Sequence, residues 1–481
     1  LRCTVHTINN SLEVYSQFSL AVAYLRKGHA TRLLSPFLLE EAENEYLKAI
    51  EMMDEIHVSR AKAESYLGLA ILKCKQGVLH EAFSYVKLGL YETEKAQDQW
   101  VTALLLTAST IIHVESNNLL EAKKSAEKAK ELFEISPDVY GLMVTNFWLS
   151  YIAYQHGDTE EFLQTFESFA SLCSEHQFYF FLTKRTLFGP ERLLCFWATV
   201  SQALQLKTND QNIQQIAQFL QLDQDLLIPK HTFSLNVLGP FTMIREGLEI
   251  VDKEWKREKA KELFLYLYFH RNRFVAKDEI MHALWPNSDE QSMNRDFKVA
   301  YNACLKVLQP DRLARDECPY IVRKQSMYKL HPVLAFSSDM EFFEKFAKLG
   351  LNEANPHFSL EWLLKAYRLY TGPLLEDLSA FQWIEGKRAE IHKLIILVIE
   401  KMAQIYTELE DYPAAIEWAE KLLQFDSTWE EGYRLLMLGY YYQNNRPQAV
   451  RWFEKCVQVL EEELNIEPME MTLQVYEMIS R

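Results

Sequence analysis

The sequence is short of the residues that break helices. Glycine and proline each occur 14 times in 481 residues, where average usage would give about 34 and about 24. That scarcity disfavours a glycine-rich α/β enzyme and favours a mainly α protein. A phosphate loop of the form G-x-x-x-x-G-K-[ST] is absent: the Gly-Lys in EGKR at Gly386 has no upstream glycine, so no ATP site of that kind is expected. H-E-x-x-H, G-x-S-x-G and Cys/His metal spacings are missing as well. The seven cysteines (3, 74, 173, 195, 304, 318, 456) are odd in number, and none stands in a C-x-x-C. They read as free thiols of a reducing cytoplasm, several on apolar helix stripes. His6, His57, His80, His113, His156 and His176 fall in separate helical stretches and read as helix-end or core residues. These absences predict a protein that is not an enzyme and needs no cofactor or metal. With no apolar run near the roughly 20 residues a membrane helix needs, and an N-terminus (LRCTVHTINN) without an apolar signal core, the expectation is a cytoplasmic protein with no membrane partner. The chain does not start with Met, so a segment upstream of Leu1 is expected to have been removed.

What is present is acid, unevenly spread. The formal charge is −16, which argues against non-specific nucleic-acid binding by the whole surface. Between residues 234 and 332, however, 17 Lys+Arg stand against 14 Asp+Glu, a local +3 that leaves −19 for the remainder. A mildly cationic island lies inside an acidic chain.

Before the island the sequence repeats. Glu41-Ala42, Glu81-Ala82, Glu121-Ala122 and Glu161-Phe162 recur every 40 residues, and each follows another helical stretch such as AESYLGLAILKCKQG (63–77). Such helical hairpins cannot bury their apolar faces alone, so they stack into a solenoid. A Gln/Asn/Asp-rich stretch at 206–230 then reads as a last short helix and a linker ending at Pro229. The aromatic stretch HQFYFFLTKRTLFG (176–189) reads as packing or, alternatively, as the wall of a ligand pocket. From about Ser338 the chain is helical again; in 412–464, Ala415 and Ala449 occupy matching places 34 residues apart.

In the island the period falls from 3.6 to 2. Phe233, Leu235 and Val237 alternate before Gly239-Pro240, and Arg245-Glu246-Gly247 reads as a turn between strands. Helices follow at 254–270, 277–286 and 294–308, then two short strands in 319–330. The third helix, NRDFKVAYNACLKVL, has two characters. Phe297, Ala300, Cys304 and Leu308 make a core stripe, while Arg295, Lys298, Asn302 and Lys306 make a cationic, hydrogen-bonding outer face. An exposed amide and cations at that spacing suit base edges and phosphates. Strands, three helices and a hairpin make an OmpR-type winged helix, which lays its third helix in the major groove.

The ordered motifs LGPF (238–241), W-x-R-x-K-A-x-x-L (255–263), LWP (284–286) and Y-x-L (328–330) resemble the DNA-binding domain of SARP-type transcriptional activators. DMEFFEKF (339–346), YTGPLLEDL (370–378), the run at 434–468 and VYEMI (475–479) resemble the bacterial transcriptional activator domain that follows it in that family. The N-terminal repeats are similar to the tetratricopeptide-like region of MalT-like regulators, which carry an NTPase ahead of it.

The resemblance implies Lys298, Asn302 and Lys306 on the groove side of the recognition helix. It implies Arg257, Lys259 and Lys277 at phosphates, and Arg323, Lys324 and Tyr328 in the wing. It further implies a homodimer on promoter direct repeats that contacts RNA polymerase, with an inducer or protein at the N-terminal repeats. Two departures stand out: Ala303 replaces a usual arginine, and Gln325-Ser326 replace glycines in the wing turn. The expected division is 1–230 for the repeat domain, 231–335 for the winged helix and 336–481 for the activator domain. The competing reading is a tetratricopeptide-like adaptor whose winged helix docks protein rather than DNA.

Overall fold

A computed structural model describes the chain apart from residues 1, 14–15, 191–193, 208, 221, 223–230, 246, 313–317, 332–334 and 379, and describes residues 2, 5, 6, 9, 12, 13 and 194 by backbone alone. The linker expected before Pro229 and Glu246 of the expected turn thus fall, in large part and wholly, outside the described residues. Two sheets are present among the described residues. One has the strand order β3-β2-β1-β7 and the other β4-β6-β5, from β1 (Phe233–Asn236), β2 (Thr242–Arg245), β3 (Leu248–Glu249), β4 (Val275–Ala276), β5 (Ile321–Lys324), β6 (Met327–Leu330) and β7 (Phe336–Ser338). Everything else regular is helical. Among the described residues no helix is long and apolar enough to cross a membrane.

Two compact units result, Leu1–Phe233 with Ile244–Phe336, and Ser234–Met243 with Ser337–Arg481. In the first, α1 (Arg2–Glu13) precedes four hairpins: α2 (Gln17–Leu34) with α3 (Leu39–Glu55), α4 (Ser59–Lys75) with α5 (Leu79–Ala96), α6 (Gln99–Glu115) with α7 (Leu119–Ile135), and α8 (Val139–His156) with α9 (Thr159–Glu175). From α3 to α9 each helix starts 20 residues after its predecessor, so the 40-residue repeat is two equal halves. The physical reason lies in the links. His57, Gly77, Gln97, Asn117, Gly157 and Gln177 all have left-handed backbones, with φ between 50° and 78°. The next residue's N–H then returns to a carbonyl five residues back, as from Val58 to Met53, Val78 to Lys73 and Asn118 to His113, closing each helix in a Schellman turn. Asp98, Asn118, Asp138 and Asp158 immediately cap the following helix through their side chains.

Small residues set the spacing of the helices. Ala42, Ala82 and Ala122 are all fully buried, and a Cβ on Gly68 would lie 2.3 Å from the Tyr46 ring. The fourth hairpin exchanges small residues for aromatic ones. Phe162, Phe166 and Phe169 are buried there, and Phe147 and Phe181 pack on Phe196 with ring centroids 4.7 and 5.2 Å apart. The aromatic stretch at 176–189 feeds this core: Phe181 is fully buried, and Trp148 Nε1 donates to the Phe188 carbonyl at 2.8 Å. Short helices α10 (Phe180–Thr183), α11 (Leu194–Leu206) and α12 (Gln211–Phe219) end the array.

The same unit holds α13 (Asp252–Trp255), α14 (Glu258–Phe269), α15 (Lys277–Leu284) and α16 (Glu290–Leu308). The helix expected over 254–270 is therefore two helices. Lys256, at φ 59°, breaks it, and the break turns Trp255 into the core beside Phe264 with ring centroids 5.7 Å apart. Leu263, Phe264 and Leu267 of α14 and Phe297, Ala300, Cys304 and Leu308 of α16 are all buried. The cysteines are free: Cys74, Cys173, Cys304 and Cys456 are buried, Cys195 and Cys318 half-buried, and Cys3 exposed.

The second unit contains α17 (Asp339–Leu351), α18 (Pro356–Leu369), α19 (Glu385–Glu408), α20 (Tyr412–Phe425), α21 (Glu430–Tyr442), α22 (Arg446–Leu464) and α23 (Glu470–Ser480). Ala415 and Ala449, the pair read from the 34-residue spacing, are fully buried. Its distinctive feature is how residues 237–241 are held. The Asp339 carboxylate, 5% exposed, accepts the N–H groups of Val237 at 2.9 Å, Leu238 at 3.1 Å and Met340 at 2.7 Å. The 370–378 segment supplies the rest. Gly239 N–H donates to the Pro373 carbonyl at 3.0 Å, Leu375 N–H to the Val237 carbonyl at 2.8 Å, and Phe241 N–H to Asp377 at 2.8 Å. Gly239 needs its φ of 105° here, and a Cβ would meet Thr371 Oγ1 at 2.8 Å. The LGPF and YTGPLLEDL motifs are thus partners in one backbone-to-backbone contact.

Removing the Asp339 carboxylate strands three buried N–H groups, each costing about 1–3 kcal/mol. Asp339→Ala should therefore lose about 3 kcal/mol or more in denaturant unfolding. Burial also pushes this carboxyl up to about 6, against the pull of the N–H groups. The native state then holds a proton that the unfolded chain, with an ordinary pKa of about 3.9, releases. That contribution is full below about pH 4 and is lost as pH rises through about 6. Asp339→Asn should flatten the stability-versus-pH curve across that window, and an unchanged slope would refute the assignment.

Candidate nucleic-acid interface

The outer face of α16 is built by its cap and its core stripe. Asp289 accepts the Ser292 N–H at 3.0 Å and starts the helix; the Ser292 hydroxyl, and then this N–H, hold its carboxyl below the usual range. With Phe297, Ala300, Cys304 and Leu308 turned inward, Arg295, Lys298, Asn302 and Lys306 are all exposed. Arg295 lies beside Asp296, Nε to Oδ1 3.1 Å. The face carries one residue that the charge pattern overlooks: Val299, 37% exposed, four residues after Arg295 and three before Asn302. An apolar side chain off the core stripe was its only signal. Ala303 is half-buried.

Three elements meet at Lys277, the first residue of α15. Its Nζ bonds Asn294 Oδ1 of α16 and lies 5.4 Å from the Phe297 ring centroid. Its backbone N–H donates to the Ser326 carbonyl in the wing turn at 2.8 Å. α15, α16 and the β5–β6 hairpin are thereby fixed to one another. Arg257, which precedes α14, is exposed. Lys259 is committed to the fold, with Nζ 2.6 Å from Glu262 Oε2 and 2.5 Å from the Leu284 carbonyl. Of the three cations expected at phosphates, Lys259 has the least freedom to reach one.

The wing is a two-residue hairpin in which Lys324 pairs with Met327 and Arg323 with Tyr328. Arg323 and Lys324 are exposed. Arg323 Nε donates to the Gln325 carbonyl at 2.9 Å, and Lys324 Nζ lies 5.3 Å from the Phe274 ring centroid. Tyr328 departs from expectation. It is 3% exposed, its ring 5.3 Å from both Phe297 and Tyr301, so it anchors the wing to α16 and offers no side chain to DNA. The period of two explains this: Leu330 points inward, and so must the residue two before it. Gln325 has φ 55°.

Comparison with known proteins agrees in part with the sequence reading. A family model described as the bacterial transcriptional activator domain matches residues 338–480. The chain is 24% identical over 249 residues to the transcriptional regulatory protein MoaR1 of Mycobacterium tuberculosis (strain ATCC 25618 / H37Rv), covering 51% of this chain and 78% of that one. It is as similar over the same length to MoaR1 of Mycobacterium bovis (strain BCG / Pasteur 1173P2). Among solved structures, Mycobacterium tuberculosis EmbR in complex with a low-affinity phosphopeptide is 20% identical with a TM-score of 0.46, covering 52% of this chain and 66% of that one, just under two thirds of its length. The hetero-tetramer Cut9-Hcn1 is 12% identical with a TM-score of 0.18, over 99% of this chain and 95% of that one. The chain carries a bacterial transcriptional activator domain and is related over half its length to transcriptional regulators, which are not enzymes.

Truncating Tyr328 to Ala removes a buried ring and should cost about 3 kcal/mol. Tyr328→Phe keeps the packing and should leave both stability and DNA affinity unchanged; a DNA-binding defect in that variant would restore a direct role. Gln325→Gly should raise the unfolding free energy by about 0.5–1 kcal/mol, because a left-handed backbone suits glycine.

Proposed function

We propose that this chain is a bacterial DNA-binding transcriptional regulator whose α16 enters the major groove of promoter DNA while the wing lies on the neighbouring backbone. The observation that carries the reading is the exposed face of Arg295, Lys298, Asn302 and Lys306, set opposite a buried stripe in a strand–helix–wing framework and followed by an activator domain. Asn302 suits adenine, through its paired donor and acceptor, and Lys298 and Lys306 suit guanine or phosphate. The Val299 methyls suit a thymine methyl. Arg257, Lys277, Arg323 and Lys324 serve as phosphate partners, with Lys277 also bracing α16. Labour divides into 1–230 for signal response, 231–335 for DNA and 336–481 for activation, with the 234–243 segment folding alongside the last. Family resemblance further supports a dimer on direct repeats in contact with RNA polymerase.

The test is selection of bound fragments from a genomic DNA pool by the wild-type chain and by the Lys298→Ala/Asn302→Ala/Lys306→Ala variant. The wild type should enrich a shared, repeated motif that the variant loses. Asn302→Ala alone should cost about 1–3 kcal/mol and relax preference at one base pair. Lys298→Ala and Lys306→Ala should each lower the slope of log affinity against log salt by about 1. A wild-type chain that enriches no motif and binds DNA no better than the triple variant would be a protein adaptor instead.

A further inference from the structure

The first hairpin of the N-terminal array differs from the other three at one core position. Leu72, Ile112 and Ile152 occupy equivalent places 40 residues apart, and all are at most 1% exposed. The first hairpin has Arg32 there, in the last turn of α2 and only 5% exposed. Its Nε and Nη1 atoms are buried and have no hydrogen-bond partner, which leaves three N–H donors unanswered. A buried guanidinium in that condition is costly unless an anion meets it.

Among the described residues no carboxylate accepts from Nε or Nη1. Three acidic side chains of α3 and α4 are engaged with other cations: Glu45 with Lys27 at 2.9 Å, Glu64 with Arg26 at 2.7 Å, and Glu43 with Lys73 at 2.7 Å. His29, one turn before Arg32, bonds the Tyr46 hydroxyl through Nδ1 at 2.7 Å. Burial, with Arg26 and Arg32 adding to it, holds that imidazole neutral, down to about 3. The negative end of α2 favours a cation in its last turn, yet no carbonyl accepts from Nε or Nη1. His29, Thr31 and Ser35 stand near Arg32 in the sequence, and Thr31 and Ser35 are fully buried.

We propose that the first hairpin holds a binding site for a small-molecule oxyanion, a carboxylate or phosphate group whose charge is met by Arg32. The guanidinium fork matches either group in shape and charge. This deepens the reading of the N-terminal array as the signal-responsive part, and rests on it.

Thermal unfolding of the full chain, at constant ionic strength in chloride buffer, tests the site with inorganic phosphate and, separately, with acetate and succinate. The wild type should show a saturable rise in melting temperature with one of the two classes, and that class identifies the group. Arg32→Met should lose the rise and, with no anion present, melt above the wild type, because an apolar side chain suits a position that is Leu or Ile elsewhere. Arg32→Lys, which keeps charge and loses the fork, should retain a weaker response. No saturable rise with either class, or an equal rise in Arg32→Met, overturns the proposal. The readout involves no DNA, so a chain that selects a DNA motif but ignores both anions refutes this site alone. A chain that selects no motif refutes the regulator reading whatever the anions do.

Discussion

A buried carboxylate organises the second unit. Asp339 opens α17, yet the groups it binds at Val237 and Leu238 are about a hundred residues away in sequence. An ion of that kind is tolerated in the interior only when its oxygens are saturated with donors, and backbone N–H groups are donors that no substitution removes save proline. The arrangement therefore constrains path rather than composition: the chain must bring 237–241 past α17 and the 370–378 segment. Around it, Arg388 binds the carbonyls of Leu374 at 3.0 Å and Leu378 at 2.7 Å, stiffening the very segment that receives Gly239. Two motifs that look independent in the sequence turn out to be the two sides of one contact.

The cationic face has a similar economy. α16 has seven buried residues that fasten it to the fold, and its exposed side chains are free of that duty, apart from Arg295 beside Asp296. Rigidity comes from Tyr328 and Lys277, which tie the β5–β6 hairpin and α15 to α16. An excess of acid elsewhere in the chain limits indiscriminate attraction to polyanions.

How much of this was legible depended on the range of the interaction. The 40-residue repeat and the third helix with its two faces are encoded in local periodicity, and both stand where periodicity put them. The halving of the repeat was hidden because its marker is a backbone angle shared by unlike residues; His57, Gly77, Gln97 and Asn117 have no common side-chain chemistry. The break at Lys256 was invisible for the same reason, since lysine is a good helix former and only the tertiary pull on Trp255 overrides it. Tyr328 was misjudged by family position although alternation with Leu330 already placed it inside. The association of 234–243 with 337–481 left no trace at all, because a carboxylate meeting main-chain N–H groups has no sequence pattern on the receiving side.

The uniform 20-residue half-unit also governs how such an array can change over evolutionary time. One residue gained or lost inside a helix rotates everything after it by about 100° around the helix axis, turning Ala82 or Ala122 out of the core and charged residues in. Links of only a few residues, closed by a left-handed turn and followed at once by a capped helix, have no slack to absorb the error. Length variation among descendants should therefore come in whole hairpins, added or deleted by recombination between like repeats, while single-codon insertions and deletions are purged from α3 through α9.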